Sequence, residues 1–329
     1  MQWNEIVGHA ENMNSLQDML SNGRVPHALL FVGPEGVGKA TVARLFAAGL
    51  LCSGAGQKPC GECSSCKQVH AMSHPDLIVM LPDGASIKID QVRQLQREVA
   101  LAPYYGQRRV GIIDAAETMT VQAANSLLKT LEEPPSDTVF ILISNSRQQL
   151  LPTIISRCRI MPFYSLPYEA LSKALAAQGF DHAQAGAAAR ISGGRMGAAL
   201  GFLAKDGLIV RNQATDIVAA LPGCLPNYIW ETALLFEKLE RRQALELYKH
   251  MTLILRDLLV YAAVKDTVLL FNADIAERLA TVAHHWSEHS LLNALKAVEF
   301  ARRALVANAN TRLTSEALLI KLRDAAGED

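Results

Sequence analysis

The sequence has no long apolar run, no excess of charge of either sign and few aromatic residues, and each absence excludes a class of protein. No apolar stretch reaches the roughly 18 residues that suggest a membrane span. Lysine plus arginine number 32, and so do aspartate plus glutamate, which argues against a strongly basic nucleic-acid binder. Aromatic residues make up only 6% of the chain, and no basic, aromatic-rich cluster typical of single-strand binding occurs. The start, MQWNEIVGHAE, lacks the basic and apolar segments of a signal peptide, so we expect a cytoplasmic location without membrane partners.

What the chain does contain is a first part in which strand-like and helix-like segments alternate. A length of 329 residues favours two or three domains. Predicted strands cover 28–32, 76–81, 109–114 and 138–144. Predicted helices cover 39–51, 90–101 and 120–131, with Asp90 as an N-cap and Thr120 near a helix start. The alternation predicts an α/β fold, a parallel sheet with helices on both faces.

The pattern changes near Leu166-Pro167, after which almost only helices are predicted. We therefore place a first domain at 1–166 and a small, alanine-rich helical domain at 167–206. An all-helical domain follows at 207–329, with predicted helices that include 241–264 and 273–286.

A glycine-rich segment, GPEGVGKA, follows the first predicted strand and opens a helix, which is the setting of a phosphate-binding loop. Main-chain N–H groups of such a loop wrap phosphates, the helix N-terminus adds partial positive charge, and the lysine reaches the phosphates. The residues predicted to contact ATP or ADP are Gly33, Gly36, Gly38, Lys39, Ala40 and Thr41, with Asp114 at the end of a later strand.

Two features of this loop argue against ATP hydrolysis. Ala40 stands where a serine or threonine hydroxyl should bind Mg²⁺, and Thr41 is rotated about 100° away along a helix. Ala115 stands where a glutamate should polarise water, and by the same geometry Glu117 should point elsewhere. The site is therefore either a relic kept for its fold or a weak nucleotide binder without turnover, so no independent catalytic activity is expected.

Four cysteines lie within one short segment, CSGAGQKPCGECSSC. Cys52, Cys60, Cys63 and Cys66 have the spacing of a tetrahedral zinc site, and four protein ligands indicate a structural metal in an insert at about 52–66. Free thiols or a disulfide are the alternatives. The ligand set excludes two distant cysteines and two nearby histidines, the latter expected to be surface or loop residues: Cys158, Cys224, His70 and His74.

The segment from Asp114 to Cys158 contains AANSLLKTLEEPP and LLPTIISRC, and with them it resembles the clamp-loader branch of AAA+ proteins. The cysteine cluster after the loop helix is similar to that of bacterial members, and NANTRLTSEALLIKL (Asn308 to Leu322) extends the resemblance almost to the C-terminus.

The resemblance implies an AAA+ domain at 1–166, a lid at 167–206 and a collar at 207–329. It also implies a five-subunit ring with gamma/tau and delta partners, which loads a sliding clamp onto primed DNA. The altered ATP motifs resemble those of members that do not hydrolyse ATP. The alternatives are a gamma-type or autonomous ATPase motor and a zinc-containing DNA adaptor.

Arg157, in Ser156-Arg157-Cys158, matches the arginine finger that clamp-loader subunits present to a neighbour's ATP. The alternative is an arginine that holds its loop by a salt bridge. By the same resemblance 144–146 corresponds to sensor 1 and Arg195 to sensor 2, both weak site candidates. Three charged residues before Pro134-Pro135 are interpreted as an ordinary solvated helix end: Lys129, Glu132 and Glu133.

Overall fold

The structure is a computed structural model that describes residues 2–105, 108–135 and 137–326. It divides into two compact units. Unit 1 comprises Met1–Leu171 and Gly194–Gly197, and unit 2 comprises Ser172–Gly193 and Ala198–Asp329. The two boundaries between the three predicted domains stay predictions. Among the described residues, no helix combines the length and apolarity needed to cross a membrane.

Unit 1 contains a five-stranded sheet in the order β2-β3-β4-β1-β5. Every neighbouring pair is parallel, as the α/β prediction requires. The strands are β1 (Ala28–Val32), β2 (Leu77–Met80), β3 (Arg109–Ile113), β4 (Thr138–Ser144) and β5 (Arg159–Pro162). The first four were predicted to within a residue or so at each end. The prediction missed β5, because this strand has only four residues, RIMP, and most of them are partly or fully exposed.

Alternate residues of β1 feed two hydrophobic cores, one on each face of the sheet. Leu29 and Phe31 pack with residues of α1 and α2. Ala28 and Leu30 pack with residues of α4 and α5. The helices of this part of the chain are α1 (Ala10–Asn22), α2 (Lys39–Leu51), α3 (Ser64–His70), α4 (Ile89–Val99), α5 (Val121–Glu132) and α6 (Pro152–Ile155).

Two N-cap predictions had different outcomes. Thr120 caps α5, since its hydroxyl accepts the main-chain N–H of Ala123 at 3.2 Å. Asp90 does not cap α4: the helix begins one residue earlier, Lys88 is the N-cap, and Gln91 reaches back to the Lys88 N–H at 3.0 Å.

The remainder of the described chain is helical, as predicted. Its helices are α7 (Tyr168–Ala177), α8 (His182–Ile191), α9 (Met196–Leu203), α10 (Lys205–Ala220), α11 (Pro226–Glu237), α12 (Arg241–Val264), α13 (Ala276–Ala283), α14 (Glu288–Val306) and α15 (Thr311–Ala326). The helix predicted at roughly 273–286 is present as the shorter α13, and a 3₁₀ turn at Ala273–Ile275 precedes it. In unit 2, the long α12 is anchored by Tyr248, whose buried hydroxyl lies 2.7 Å from Ser315 Oγ of α15.

Candidate functional site

The glycine-rich segment forms a tight loop between β1 and α2. A Cβ atom on Gly33 would lie 2.1 Å from the main-chain oxygen of Phe163, so only glycine fits there. Gly38 precedes the helix with φ of 103°, a backbone conformation that favours glycine. The loop geometry that the sequence predicted is therefore present.

Lys39, the lysine of this loop, is turned inward and 5% exposed. Its Nζ donates to the main-chain oxygens of Gly33 at 2.5 Å and Pro34 at 2.8 Å, and to Asn145 Oδ1 at 2.9 Å. An ammonium has three donors, so these contacts use all of them. Burial lowers the pKa of Lys39, and the carboxylates of Glu117, Asp114 and Glu35 partly oppose that shift. A nucleotide phosphate would have to displace at least one of these partners.

The residues after Lys39 bring no hydroxyl to a metal position. Ala40 packs against the core beneath the sheet. Thr41 is exposed on α2. The exposed position of Thr41 agrees with the predicted rotation of about 100° along the helix, by which its hydroxyl does not replace the one missing at Ala40.

The acidic strand end differs from its predicted geometry. Asp114 follows β3, and its Oδ1 accepts the N–H of Ala115 at 2.9 Å. Glu117 was expected to point elsewhere, which is wrong: its Oε1 accepts the N–H of Asn145 at 3.1 Å, next to the Lys39 contact. The helical rotation of 100° per residue does not apply, because Ala115 adopts a left-handed backbone with φ of 50°.

The segments assigned to sensors 1 and 2 both reach the loop. Asn145, within the predicted sensor 1 segment, contacts Lys39 directly. Near Arg195, the Gly197 N–H donates to the Gly36 oxygen at 2.8 Å. The tight packing of Gly197 there leaves little room, because a Cβ on it would lie 3.2 Å from that oxygen.

The four cysteines of the insert converge. Their sulfur atoms all lie within 4.8 Å of one another, with 3.9 Å between Cys52 and Cys63 and 4.0 Å between Cys60 and Cys66. A tetrahedral zinc with Zn–S bonds of about 2.3 Å would separate sulfurs by about 3.8 Å. The cluster could therefore bind a metal ion of that kind.

Main-chain N–H groups support thiolates in this cluster. The N–H groups of Cys60, Cys63 and Cys66 donate to the sulfurs of Cys52, Cys60 and Cys63, respectively, each at 3.4 Å. Burial disfavours the Cys63 thiolate, but hydrogen bonds from Cys66 and Ser53 outweigh it and lower the Cys63 pKa to about 5. Gly54 is required for this approach, since a Cβ there would lie 2.7 Å from Cys60 Sγ.

The residues expected outside the ligand set do lie outside it. Cys158 and Cys224 are not among the clustered cysteines. His70 is exposed at the end of α3, and His74 lies in the loop before β2, as predicted, although its side chain is buried, with 3% exposed. His74 Nδ1 accepts the N–H of Asp76 at 3.1 Å and so orders the turn into β2.

Arg157 lies in the turn between α6 and β5, with 32% of its side chain exposed. Its Nη1 donates to the Thr153 oxygen at 2.7 Å and to Ser156 Oγ at 3.3 Å. Its Nη2 forms an ion pair with Glu132, at the last residue of α5. Glu132 was interpreted as an ordinary solvated residue, an interpretation that overlooked this contact between residues 25 positions apart in sequence.

The loop and Arg157 lie at opposite edges of the sheet. β1 and β5 are parallel neighbours, with Leu29 paired to Arg159 and Val32 paired to Pro162. Gly33 follows the carboxyl end of β1, whereas Arg157 precedes the amino end of β5. The paired segment alone separates the two by roughly 10 Å along the strands. Arg157 therefore lies at the end of the strands opposite the chain's own phosphate loop.

The fold and the loop define a P-loop α/β protein, and comparison with known proteins gives its family. Residues 8–167 match the family described as DNA polymerase III, delta subunit, and residues 229–324 match its C-terminal counterpart. DNA polymerase III subunit delta′ of Bacillus subtilis is 32% identical over 317 residues, covering 95% of each chain. The chain belongs to the DNA polymerase III delta′ family, which confirms the predicted resemblance.

Two further relatives match about half of the chain. The delta′ subunit of Pseudomonas aeruginosa is 42% identical over 163 residues, 47% of this chain and 44% of that one. DNA polymerase III subunit tau of Escherichia coli is 41% identical over 156 residues, 47% of this chain but only 24% of tau. The likeness to tau thus covers a part that the two kinds of subunit share, whereas the likeness to Bacillus delta′ covers almost everything.

Proposed function

We propose that this chain acts as the delta′-type subunit of a DNA polymerase III clamp loader, which helps to load the sliding clamp onto primed DNA. Its partners are gamma/tau and delta subunits in a five-subunit ring, and contact with clamp and DNA is made through the complex. The near full-length similarity to a delta′ subunit supports this role.

Within the ring, Arg157 supplies an arginine finger to ATP bound by a neighbouring subunit. The observation that carries this proposal is the position of Arg157 at the sheet edge opposite its own phosphate loop. A guanidinium there cannot serve the chain's own nucleotide, but it can meet a phosphate that a neighbour brings to it. Planar guanidinium groups suit the charge that develops in phosphoryl transfer, and such fingers contribute about 10³–10⁵ in rate.

The chain's own loop, in this proposal, binds ATP or ADP weakly or not at all and does not hydrolyse it. Ala40 offers Mg²⁺ no hydroxyl, Ala115 offers no carboxylate, and Lys39 is already saturated by protein acceptors. The alternative hypothesis, a gamma-type ATPase motor, would require different residues at Ala40 and Ala115 and different contacts for Lys39.

The four-cysteine cluster, in this proposal, holds one structural zinc ion. Cys52, Cys60, Cys63 and Cys66 would be its four ligands, and the metal would supply folding stability rather than chemistry because no ligand position stays open. The convergence of the sulfurs and their N–H donors supports this assignment.

The test of the finger role is Arg157→Ala in a complex reconstituted with gamma/tau and delta subunits. We expect normal assembly, with clamp- and DNA-stimulated ATPase reduced to the share carried by the other ATP sites and with slower clamp loading. Arg159→Ala is the matched control: that arginine lies two residues further on, is exposed, and its Nη2 donates to Ser15 Oγ at 3.0 Å. Wild-type rates with Arg157→Ala would refute the finger, and failure to assemble would indicate a structural arginine.

A further inference from the structure

Glu132 and Arg157 meet because the topology brings both to one edge of the sheet. Helix α5 runs from the carboxyl edge, after β3, back to the amino edge, before β4, and ends at Glu132. Arg157 lies just before β5, at that same amino edge. One residue, Glu133, separates the helix from Pro134 and Pro135, and the missing N–H of proline prevents α5 from continuing past them. Glu132 is thus held at a fixed helix end beside the guanidinium.

The contacts of Arg157 occupy one part of its guanidinium and leave another part unoccupied. A guanidinium has five N–H donors. Thr153 and Ser156 take both donors of Nη1, and Glu132 takes one donor of Nη2. Within the part of the chain that the structure describes, the remaining Nη2 donor and the Nε donor have no recorded acceptor. Those two donors can serve an incoming phosphate while all three existing contacts remain.

We propose that Glu132 is the positioning residue of Arg157: it fixes the plane of the guanidinium so that the Nε and Nη2 donors are directed at the neighbouring subunit's phosphate. The proposal rests on the finger role proposed above and names the residue on which that role depends. Glu132 has no contact with ATP in this scheme and acts only through Arg157.

Orientation, rather than stability, is what such a pair can contribute. Glu132 and Arg157 are 47% and 32% exposed, and ion pairs this open to solvent contribute little to folding. A flexible arginine, however, would sample many orientations, and a misplacement of about 1 Å can cost roughly 10²-fold in rate. Loss of Glu132 should therefore lower turnover without unfolding the chain.

The residue next to Glu132 provides a control for the ion pair with Arg157. Glu133, the next residue, carries the same charge at the same helix end and is exposed. Among the described residues it has no recorded ion pair with Arg157. Comparison of Glu132 with Glu133 separates the specific contact from the general effect of removing a negative charge.

The experiment measures stimulated ATPase by the full reconstituted complex carrying Glu132→Ala, Glu132→Gln, Glu133→Gln, Arg157→Ala or Glu132→Ala with Arg157→Ala. Glu132→Ala should remove most of the kcat that Arg157→Ala removes, with KM for ATP unchanged. Glu132→Gln, which keeps a hydrogen-bond acceptor, should have a kcat between those of Glu132→Ala and wild type. Glu133→Gln should have the wild-type kcat. The double variant should equal Arg157→Ala alone.

The outcomes separate the two proposals. If Arg157→Ala lowers kcat but Glu132→Ala behaves like Glu133→Gln, the finger role stands and the positioning role is overturned. A further loss from Glu132→Ala in the Arg157→Ala background would also overturn it, because Glu132 would then act through something else. Wild-type kcat with Arg157→Ala would remove the finger role itself. Should Glu132→Ala fail to assemble, Glu132→Gln decides: kcat equal to wild type would count against the proposal.

Discussion

The carboxyl and amino edges of the same parallel sheet have opposite character. At the carboxyl edge, Lys39 is buried and every donor of its ammonium is bound to the protein itself. At the amino edge, Arg157 is partly exposed and two of its five donors lack a recorded acceptor among the described residues. The ligand sites of open parallel sheets usually lie at the carboxyl ends of the strands. Here the Lys39 ammonium at that edge is bound by protein acceptors, whereas the Arg157 guanidinium at the amino ends pairs with Glu132 and keeps two donors without a recorded acceptor among the described residues.

The difference is consistent with the proposal that this fold assists a neighbour's ATP site and does not hydrolyse a nucleotide of its own. In the proposed function, Ala40 and Ala115 supply neither a hydroxyl for Mg²⁺ nor a carboxylate for water, while the glycines and Lys39 still form the loop. The contacts of Arg157 among the described residues are with Thr153, Ser156 and Glu132, and none of these belongs to the phosphate loop. The two edges can therefore be tested independently.

The largest expected effect comes from breaking the cysteine cluster that follows α2 at the amino edge. Cys63→Ser should lower bound zinc from about one equivalent per chain towards zero and loosen the insert, because metal binding is coupled to local folding. Metal analysis and limited proteolysis of the purified protein measure both effects. Cys224→Ser, at a cysteine outside the cluster, is the control. A wild-type protein without metal, with four titratable thiols and unchanged stability, would contradict the zinc assignment.

The next largest effect is expected from Arg157→Lys, which keeps the positive charge at the amino edge but replaces the planar guanidinium by an ammonium. Arg157→Lys should restore little of the stimulated ATPase lost in Arg157→Ala, since an ammonium keeps the charge but loses the planar fork. It should also lose the simultaneous contacts to Thr153, Ser156 and Glu132, because those use donors on two different nitrogens. The measurement is kcat of the reconstituted complex, and full rescue by lysine would show that charge alone suffices.

The sequence predicted the elements whose signal is local and missed those set by distant contacts. Both α2 (Lys39–Leu51) and α12 (Arg241–Val264) have the predicted bounds, the first fixed by the loop before it and the second by a long apolar period. β5 was missed because four partly exposed residues carry almost no strand pattern.

The same division holds for the candidate site. The four cysteines could be grouped from spacing alone, since their convergence is local. The inward turn of Lys39, the approach of Glu117 to Asn145 and the pairing of Glu132 with Arg157 could not, because each joins segments separated by 25 or more residues in sequence. The left-handed backbone of Ala115 also has no residue-type signal, since alanine rarely adopts it.

The smallest expected effect is at the carboxyl edge, where Lys39→Ala should leave the complex close to wild type. In a working ATP site this lysine contacts the phosphates and its loss abolishes turnover, but here its ammonium already binds Gly33, Pro34 and Asn145. Removing it deletes internal hydrogen bonds and a buried charge together, and the burial that lowers the lysine pKa means that the charge was held at a cost. Stimulated ATPase and clamp loading should therefore stay within about twofold of wild type, whereas an arginine finger contributes about 10³–10⁵ in rate at its own site. A second measurement is the steady-state rate of ATP hydrolysis by the isolated chain, which should equal the rate in a reaction without protein. Turnover above that level that disappears in Lys39→Ala would mean that the carboxyl edge is a working ATP site, and the contrast between the two edges would be lost.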